Sequence, residues 1–198
     1  KILLQENPIE LDNWKVELEK SETKADRDLF FDHIKQLNLR NSIFVDNTAN
    51  ETIAREYERY LEHNIGVVTC NKIACASSLS NYLDLKKTAR RFGTPFLFET
   101  NVGASLPIIG TLNDLIRSGD KVNKIEAVLS GTLNFVFNNY EGGKDGKSFA
   151  QVVRQAQEEG YTEPDPRLDL GGTDVMRKVM ILAREAGHPL EMDAIENA

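Results

Sequence analysis

The chain has 198 residues, 40% of them hydrophobic, which is enough for one large domain or two small ones around a core. Its 24 Lys and Arg stand against 31 Asp and Glu, a formal charge of −7, which argues against wide contact with a nucleic-acid phosphate backbone. The two cysteines, the lack of a leader-like amino end and the lack of any apolar run near the roughly 20 residues of a membrane span predict a soluble protein of a reducing compartment, the cytoplasm.

The chain begins with Lys1 rather than Met, which suggests an upstream portion outside it. Residues 1–41 read as a polar, partly helical lead-in. From residue 42 the pattern alternates: a strand over Ser42 to Asp46 (SIFVD), a helix over Glu51 to Glu62 capped by Asn50, and a strand over Ile65 to Thr69 (IGVVT). A helix over Ser80 to Phe92, stopped at Gly93, and a strand over Pro95 to Glu99 (PFLFE) complete the series. Strand, helix, strand at this spacing predicts βαβ units and a parallel sheet.

After Glu99 the texture changes, and a soft domain boundary falls near residue 100. Pro107 suits the first turn of a helix ending at Gly119. The run Lys121 to Ser130 (KVNKIEAVLS) alternates imperfectly at Val122, Ile125, Ala127 and Leu129 and reads as a long strand, a candidate part of a dimer interface. Ser148 is a plausible cap for a helix ending near Gly160, and Thr173 for one whose apolar stripe is Val175, Val179, Leu182 and Ala186, with Gly187 and Pro189 beyond. The fold class is therefore α/β: a partial Rossmann-like parallel sheet with helices over 1–100, then an α+β catalytic and dimerisation domain over 101–198.

The stretch GYTEPDPRLDLGGTDVMRK, 160–178, is dense in charge. Glu163 and Asp165 each precede a proline and are held extended, which stiffens the segment either for a ligand or simply as a surface loop. Asp174 and Lys178 are four apart on one helical face. By spacing alone they read as a surface ion pair worth about 0.3–0.5 kcal/mol. If instead Lys178 is partly buried, desolvation pulls an ammonium pKa down while the carboxylate orients it, and the lysine can exchange protons with a substrate.

Asn71 and Lys72 in TCNK follow the strand IGVVT, and Asn47 and Thr48 follow SIFVD. Open α/β sheets bind ligands at those carboxyl ends, although polar residues follow strands in any case. The small residues of ETNVGAS, 99–105, allow carbonyl oxygens to converge on a hard cation, or merely to form a tight turn. His33, His63 and His188 are scattered without metal-ligand spacing, and Ser130 in LSGT lacks the flanking glycines of a nucleophile elbow.

Together VDNT (45–48), VVTCNK (67–72), FETNVGASLP (98–107), LSGTLNF (129–135) and GYTEPDPRLDLGGTDVMRK resemble homoserine dehydrogenases, most closely the dehydrogenase half of bifunctional aspartokinase/homoserine dehydrogenases. The resemblance implies an NAD- or NADP-dependent oxidoreductase interconverting L-homoserine and L-aspartate 4-semialdehyde, in threonine and methionine biosynthesis. It further implies a homodimer, possibly fused to an aspartokinase in the full-length chain.

By the same resemblance Lys178 is the acid/base with Asp174 beside it, Glu163 binds the substrate ammonium and Asp169 supports it. Thr48 and Lys72 line the cofactor, to which Asn71 is added from its place at the strand end, and Glu99, Val102, Ala104 and Leu106 build a monovalent cation site, usually sodium. Leu168 stands where the motif usually has a second acidic residue, and Ser105 where it has glycine. The family's phosphate loop carries a Gly-x-Gly, which occurs nowhere in this sequence, so this chain alone is expected to hold its cofactor poorly and to be inactive in isolation. A non-catalytic assembly module of the same shape is the alternative reading.

Overall fold

In the computed structural model, residues 1–142, 146–162 and 165–196 are described. Three strands, β1 (Ile43–Asp46), β2 (Gly66–Thr69) and β3 (Phe96–Leu97), form one parallel sheet in the order β1-β2-β3. Asp46 lies opposite Thr69 in the register, so β1 and β2 end side by side. Among the described residues no helix is long and apolar enough to cross a membrane.

Two helices precede the sheet, α1 (Trp14–Lys20) and α2 (Arg27–Leu37). Asp26 caps α2 by accepting the Leu29 N–H, and α2 inserts Phe31 into the core. Phe30 and Ile34 pack against the same core, and Arg27 and Asp28 pair with Glu56 and Arg59, so α2 is held by both apolar and ionic contacts.

Between β1 and β2 the chain forms two short helices, α3 (Glu51–Ala54) and α4 (Tyr57–Glu62), rather than the one continuous helix expected. The Glu56 N–H reaches back three residues to the Ile53 carbonyl, a tighter turn that breaks the helix there. Asn50 caps α3 as expected.

After β2 come α5 (Lys72–Cys75) and α6 (Leu79–Phe92), the latter capped by Ser78 and ended by Gly93 at φ 63°. Phe31, Tyr57, Tyr60, Leu61, Val67 and Leu85 form the core on this side, with Phe44 stacked on Tyr60 at 4.1 Å between ring centroids.

The remaining helices are α7 (Ile108–Arg117), α8 (Gly131–Asn139), α9 (Phe149–Glu158), α10 (Pro166–Leu170) and α11 (Thr173–Glu185). Ser148 caps α9 in a reciprocal pair with Gln151. A second core joins α11 to the sheet side of the molecule: Cys75, Tyr82, Phe98, Val102, Ile109, Ile181 and Leu182 pack together.

Three expectations need correction here. Thr173 is the first residue of α11 and not its cap; Gly172 takes the cap position at φ 73°, without a side-chain hydrogen bond. The buried face of α11 is Met180, Ile181, Leu182, Arg184 and Glu185, whereas Val175 and Ala186 are half-buried and Val179 is exposed. The run from Lys121 to Ser130 forms no strand. Val122, Ile125, Ala127 and Leu129, together with Asn123 and Lys124, instead line a cavity of about 310 Å³ against Val179, Leu182, Ala183 and Ala186. A strand needs a neighbouring edge to complete its ladder, and none of the described strands lies beside this run.

Candidate active site

The two turns at the carboxyl ends of β1 and β2 shape the site. After β2, Asn71 caps α5 by accepting the Ile73 N–H at 3.1 Å, which makes Lys72 the first helical residue and aims it off the sheet end. After β1, the Thr48 N–H turns back to Asp46 Oδ1 at 2.8 Å, and the Thr48 hydroxyl accepts from the Asn50 N–H at 3.1 Å. Thr48 itself is exposed.

From the opposite side, α11 brings Asp174 and Lys178. Lys178 Nζ lies 2.7 Å from Asp174 Oδ2 and donates to the Leu129 carbonyl at 2.6 Å. Lys72 Nζ lies 3.3 Å from Asp174 Oδ1. One carboxylate therefore holds two ammonium groups, one on each oxygen, from residues distant in sequence. The side chains are only 16% exposed at Lys178 and 24% at both Lys72 and Asp174, so the freely solvated surface pair is set aside.

Burial opposes ionisation of Asp174, but the Lys178 hydrogen bond and the Lys72 charge outweigh it and hold the carboxyl below its ordinary value of 3.8. A carboxylate whose pKa is depressed by folding contributes stability above its unfolded value, and loses it as pH falls through the folded one. The stability gap between the native protein and Asp174→Asn should accordingly be full at neutral pH and narrow as pH falls below about 4, which urea denaturation at several pH values would measure. A gap that stays constant from neutral pH down through the acid range would contradict this account of the cluster.

Asp169 is buried and lies 3.0 Å from the Thr132 hydroxyl, which also lies against the Tyr161 carbonyl, so it ties α10 to α8. Asp165 caps α10 through the Arg167 N–H and pairs with the Arg167 guanidinium. Glu163 lies outside the described residues.

Asn71 is buried, and its amide is committed inside the protein, to Asp46 and to the Asn50 carbonyl at 3.0 Å each. Both carboxylate oxygens of Glu99 accept backbone N–H groups of α7, from Ile109 and Gly110 at 2.7 Å each. Any role of Glu99 toward a cation would thus fall to its carbonyl oxygen. In the same segment Gly103 and Ala104 have φ of 85° and 52° in succession, and an alanine held there costs about 1–2 kcal/mol.

Sequence reasoning missed Asp46, Tyr57, Arg184 and Glu185. Asp46 is 2% exposed and accepts from Tyr57, Asn71 and Thr48. Burial works against its charge, yet those hydrogen bonds prevail and its pKa is lowered. Burial, and then the neighbouring Asp46, push the Tyr57 hydroxyl far above its ordinary value. The signal in the sequence was an aspartate closing a run of β-branched and aromatic residues. Cys75 is fully buried and its thiol is pushed up by burial, as expected of a packing residue, while Cys70 is half-buried.

Comparison with known proteins gives the same reading on each part of the chain. Residues 1–99 match the family model described as homoserine dehydrogenase, NAD binding domain, and residues 107–198 the one described as homoserine dehydrogenase. A maize bifunctional aspartokinase/homoserine dehydrogenase 2, chloroplastic, is 45% identical over 195 residues, covering 98% of this chain and 21% of its own length. Homoserine dehydrogenase of Schizosaccharomyces pombe is 42% identical over 186 residues, 93% of this chain and 49% of that one. Among solved structures, a hyperthermophilic archaeal homoserine dehydrogenase in complex with NADPH superposes with a TM-score of 0.65 at 29% identity, over 78% of this chain and 49% of that one. The chain thus spans half or less of each of these relatives, and within that span it belongs to the homoserine dehydrogenase family.

Proposed function

We propose that this chain is the part of an NAD(P)-dependent homoserine dehydrogenase in which the ends of the nucleotide-binding sheet meet the catalytic helix. The whole protein then interconverts L-homoserine and L-aspartate 4-semialdehyde, on the route to threonine and methionine. The observation that carries the reading is the shared carboxylate: Asp174 holding Lys178 and Lys72 in a half-buried cluster at the carboxyl end of a parallel sheet.

The residues fit a dinucleotide, because Thr48 and Lys72 stand on adjacent turns at the ends of neighbouring parallel strands. A bound nicotinamide would supply a hydride to the aldehyde carbon or accept one from the carbinol carbon. Lys178 carries the proton on the substrate oxygen. Of its three N–H donors, one meets Asp174 and one the Leu129 carbonyl, which leaves the third to aim at that oxygen. Asp174 fixes the direction of the ammonium and balances its positive charge. Lys72 approaches the same carboxylate from the sheet and lines the nicotinamide end.

Glu163 is assigned to the substrate ammonium with Asp169 in support, and Asn71 serves the cofactor side by fixing the turn that presents Lys72. A sodium ion would take the carbonyl oxygens of Glu99, Val102, Ala104 and Leu106, where the paired left-handed residues Gly103 and Ala104 fold the loop tightly. Two units divide near residue 100. A homodimer, a cytoplasmic location and fusion to an aspartokinase complete the proposal; the maize relative bears the fusion but is chloroplastic.

The experiment is an assay of the whole, folded protein with aspartate semialdehyde and NADPH. NADPH oxidation dependent on the aldehyde is the expected result, and its absence in protein shown to be folded would defeat the reading.

A further inference from the structure

The ends of β1 and β2 are joined by a closed ring of hydrogen bonds that the reaction scheme above does not use. The Asn71 backbone N–H donates to Thr69 Oγ1 at 2.9 Å. Thr69 Oγ1 lies 2.8 Å from Tyr57 Oη, and Tyr57 Oη donates to Asp46 Oδ2 at 2.5 Å. Asn71 Nδ2 also donates to Asp46 Oδ2, at 3.0 Å, and closes the ring.

The proton directions follow from chemistry. A carboxylate only accepts, so the single proton of Tyr57 goes to Asp46, and the Thr69 hydroxyl then donates to Tyr57 while accepting from Asn71. Every bond points toward one anion, an arrangement in which each strengthens the next. Asp46, Thr69 and Asn71 are each 2% exposed and Tyr57 is fully buried, so little water competes.

The other oxygen of Asp46, Oδ1, takes the Thr48 N–H. One buried carboxylate therefore grips the Thr48 turn with one oxygen and the Asn71–Lys72 turn with the other. Cohesion of the two strands does not require this, because the parallel ladder and the apolar core already hold them. Replacing buried ionic groups by apolar ones is often neutral or stabilising, so an anion here calls for a reason beyond cohesion. Fixing two turns at once is something an apolar side chain could not do.

We propose that Asp46 is a positioning residue for the dehydrogenase reaction, setting the Thr48 turn and the Lys72 turn in one relation so that cofactor binding and the Lys72–Asp174–Lys178 cluster are aligned by the same anion. The proposal rests on the functional reading given above.

It is tested by steady-state kinetics of Asp46→Asn and Tyr57→Phe in the whole protein, with rates normalised to the folded fraction. Asparagine keeps the shape but offers one acceptor oxygen to three donors. The expected result for Asp46→Asn is a KM for NADPH raised about tenfold and a kcat lowered about tenfold, with the KM for aspartate semialdehyde within about threefold of native. Tyr57→Phe should move the same two constants in the same directions by smaller factors.

A merely structural role would lower the melting temperature and the folded fraction yet leave both constants of the folded protein unchanged, and that outcome overturns the proposal. If Asp46→Asn does not fold, Tyr57→Phe decides by itself: folded protein with native constants overturns it. A native protein that never oxidises NADPH would overturn the functional reading and this inference with it, whereas an active native protein with unaltered variants overturns this inference alone.

Discussion

Lys178→Ala in the whole protein should lower kcat by about 10²–10⁴-fold, the usual contribution of a positioned acid/base, while shifting the KM for aspartate semialdehyde far less. The expectation rests on how the ammonium is held, between Asp174 at 2.7 Å and the Leu129 carbonyl at 2.6 Å, with 16% of the side chain exposed. A solvated i,i+4 pair would predict a loss of stability of about 0.3–0.5 kcal/mol and no change in turnover. Lys178→Arg sharpens the test, since a guanidinium keeps the charge but does not give up a proton in proteins. It should be nearly as inactive as the alanine variant. Turnover within a few-fold of native in folded Lys178→Ala would end the proton-transfer assignment.

The second large effect is on stability. Glu185 is wholly buried and gathers the Tyr82 hydroxyl, Lys86 Nζ at 2.7 and 2.9 Å and Asn113 Nδ2 at 2.8 Å, which joins α6, α7 and α11 through one carboxylate. Glu185→Ala removes the acceptor that all three share: the buried Tyr82 hydroxyl loses its partner, while Asn113 Nδ2 keeps only the Ile109 carbonyl at 3.0 Å. Breaking a buried pair costs about 3–5 kcal/mol, and since Lys86 is 32% exposed and can turn toward solvent, the lower end applies. For a chain of this size about 3 kcal/mol corresponds to a fall in Tm of roughly 6–12 °C, readable by thermal melting followed by circular dichroism. A fall below about 2 °C would mean that the three donors find new partners at little cost.

The sheet was legible in the sequence because its strands are short β-branched and aromatic runs set between turn residues, and the caps at Asn50, Ser148 and Gly93 are local chemistry that needs no tertiary knowledge. What stayed hidden was decided over distance. The 121–130 run alternates as a strand would, but alternation reports only where apolar residues fall, and here they border a cavity against α11 without a neighbouring edge. Arg184 and Glu185 are charged and so read as solvent-facing. They are buried because each polar atom is met: Arg184 donates to the carbonyls of Cys75, Ser77 and Leu190 and pairs with Glu191. At the site, the Asp174–Lys178 spacing was visible but could not tell a surface pair from a cluster. The approach of Lys72 to the same carboxylate settles that, and only the fold brings it there.

Helix α11 carries Asp174 and Lys178 near its beginning and Arg184 and Glu185 at its end, and both pairs have fixed partners outside the helix. A helix advances about 1.5 Å and turns about 100° with each residue. An insertion or deletion of one residue between Lys178 and Arg184 would therefore swing one pair off its partners whenever the other stayed in place. Substitutions along this segment can be graded by the side chain lost, but its length admits no such grading, and evolutionary change here should proceed by replacement and not by gain or loss of residues.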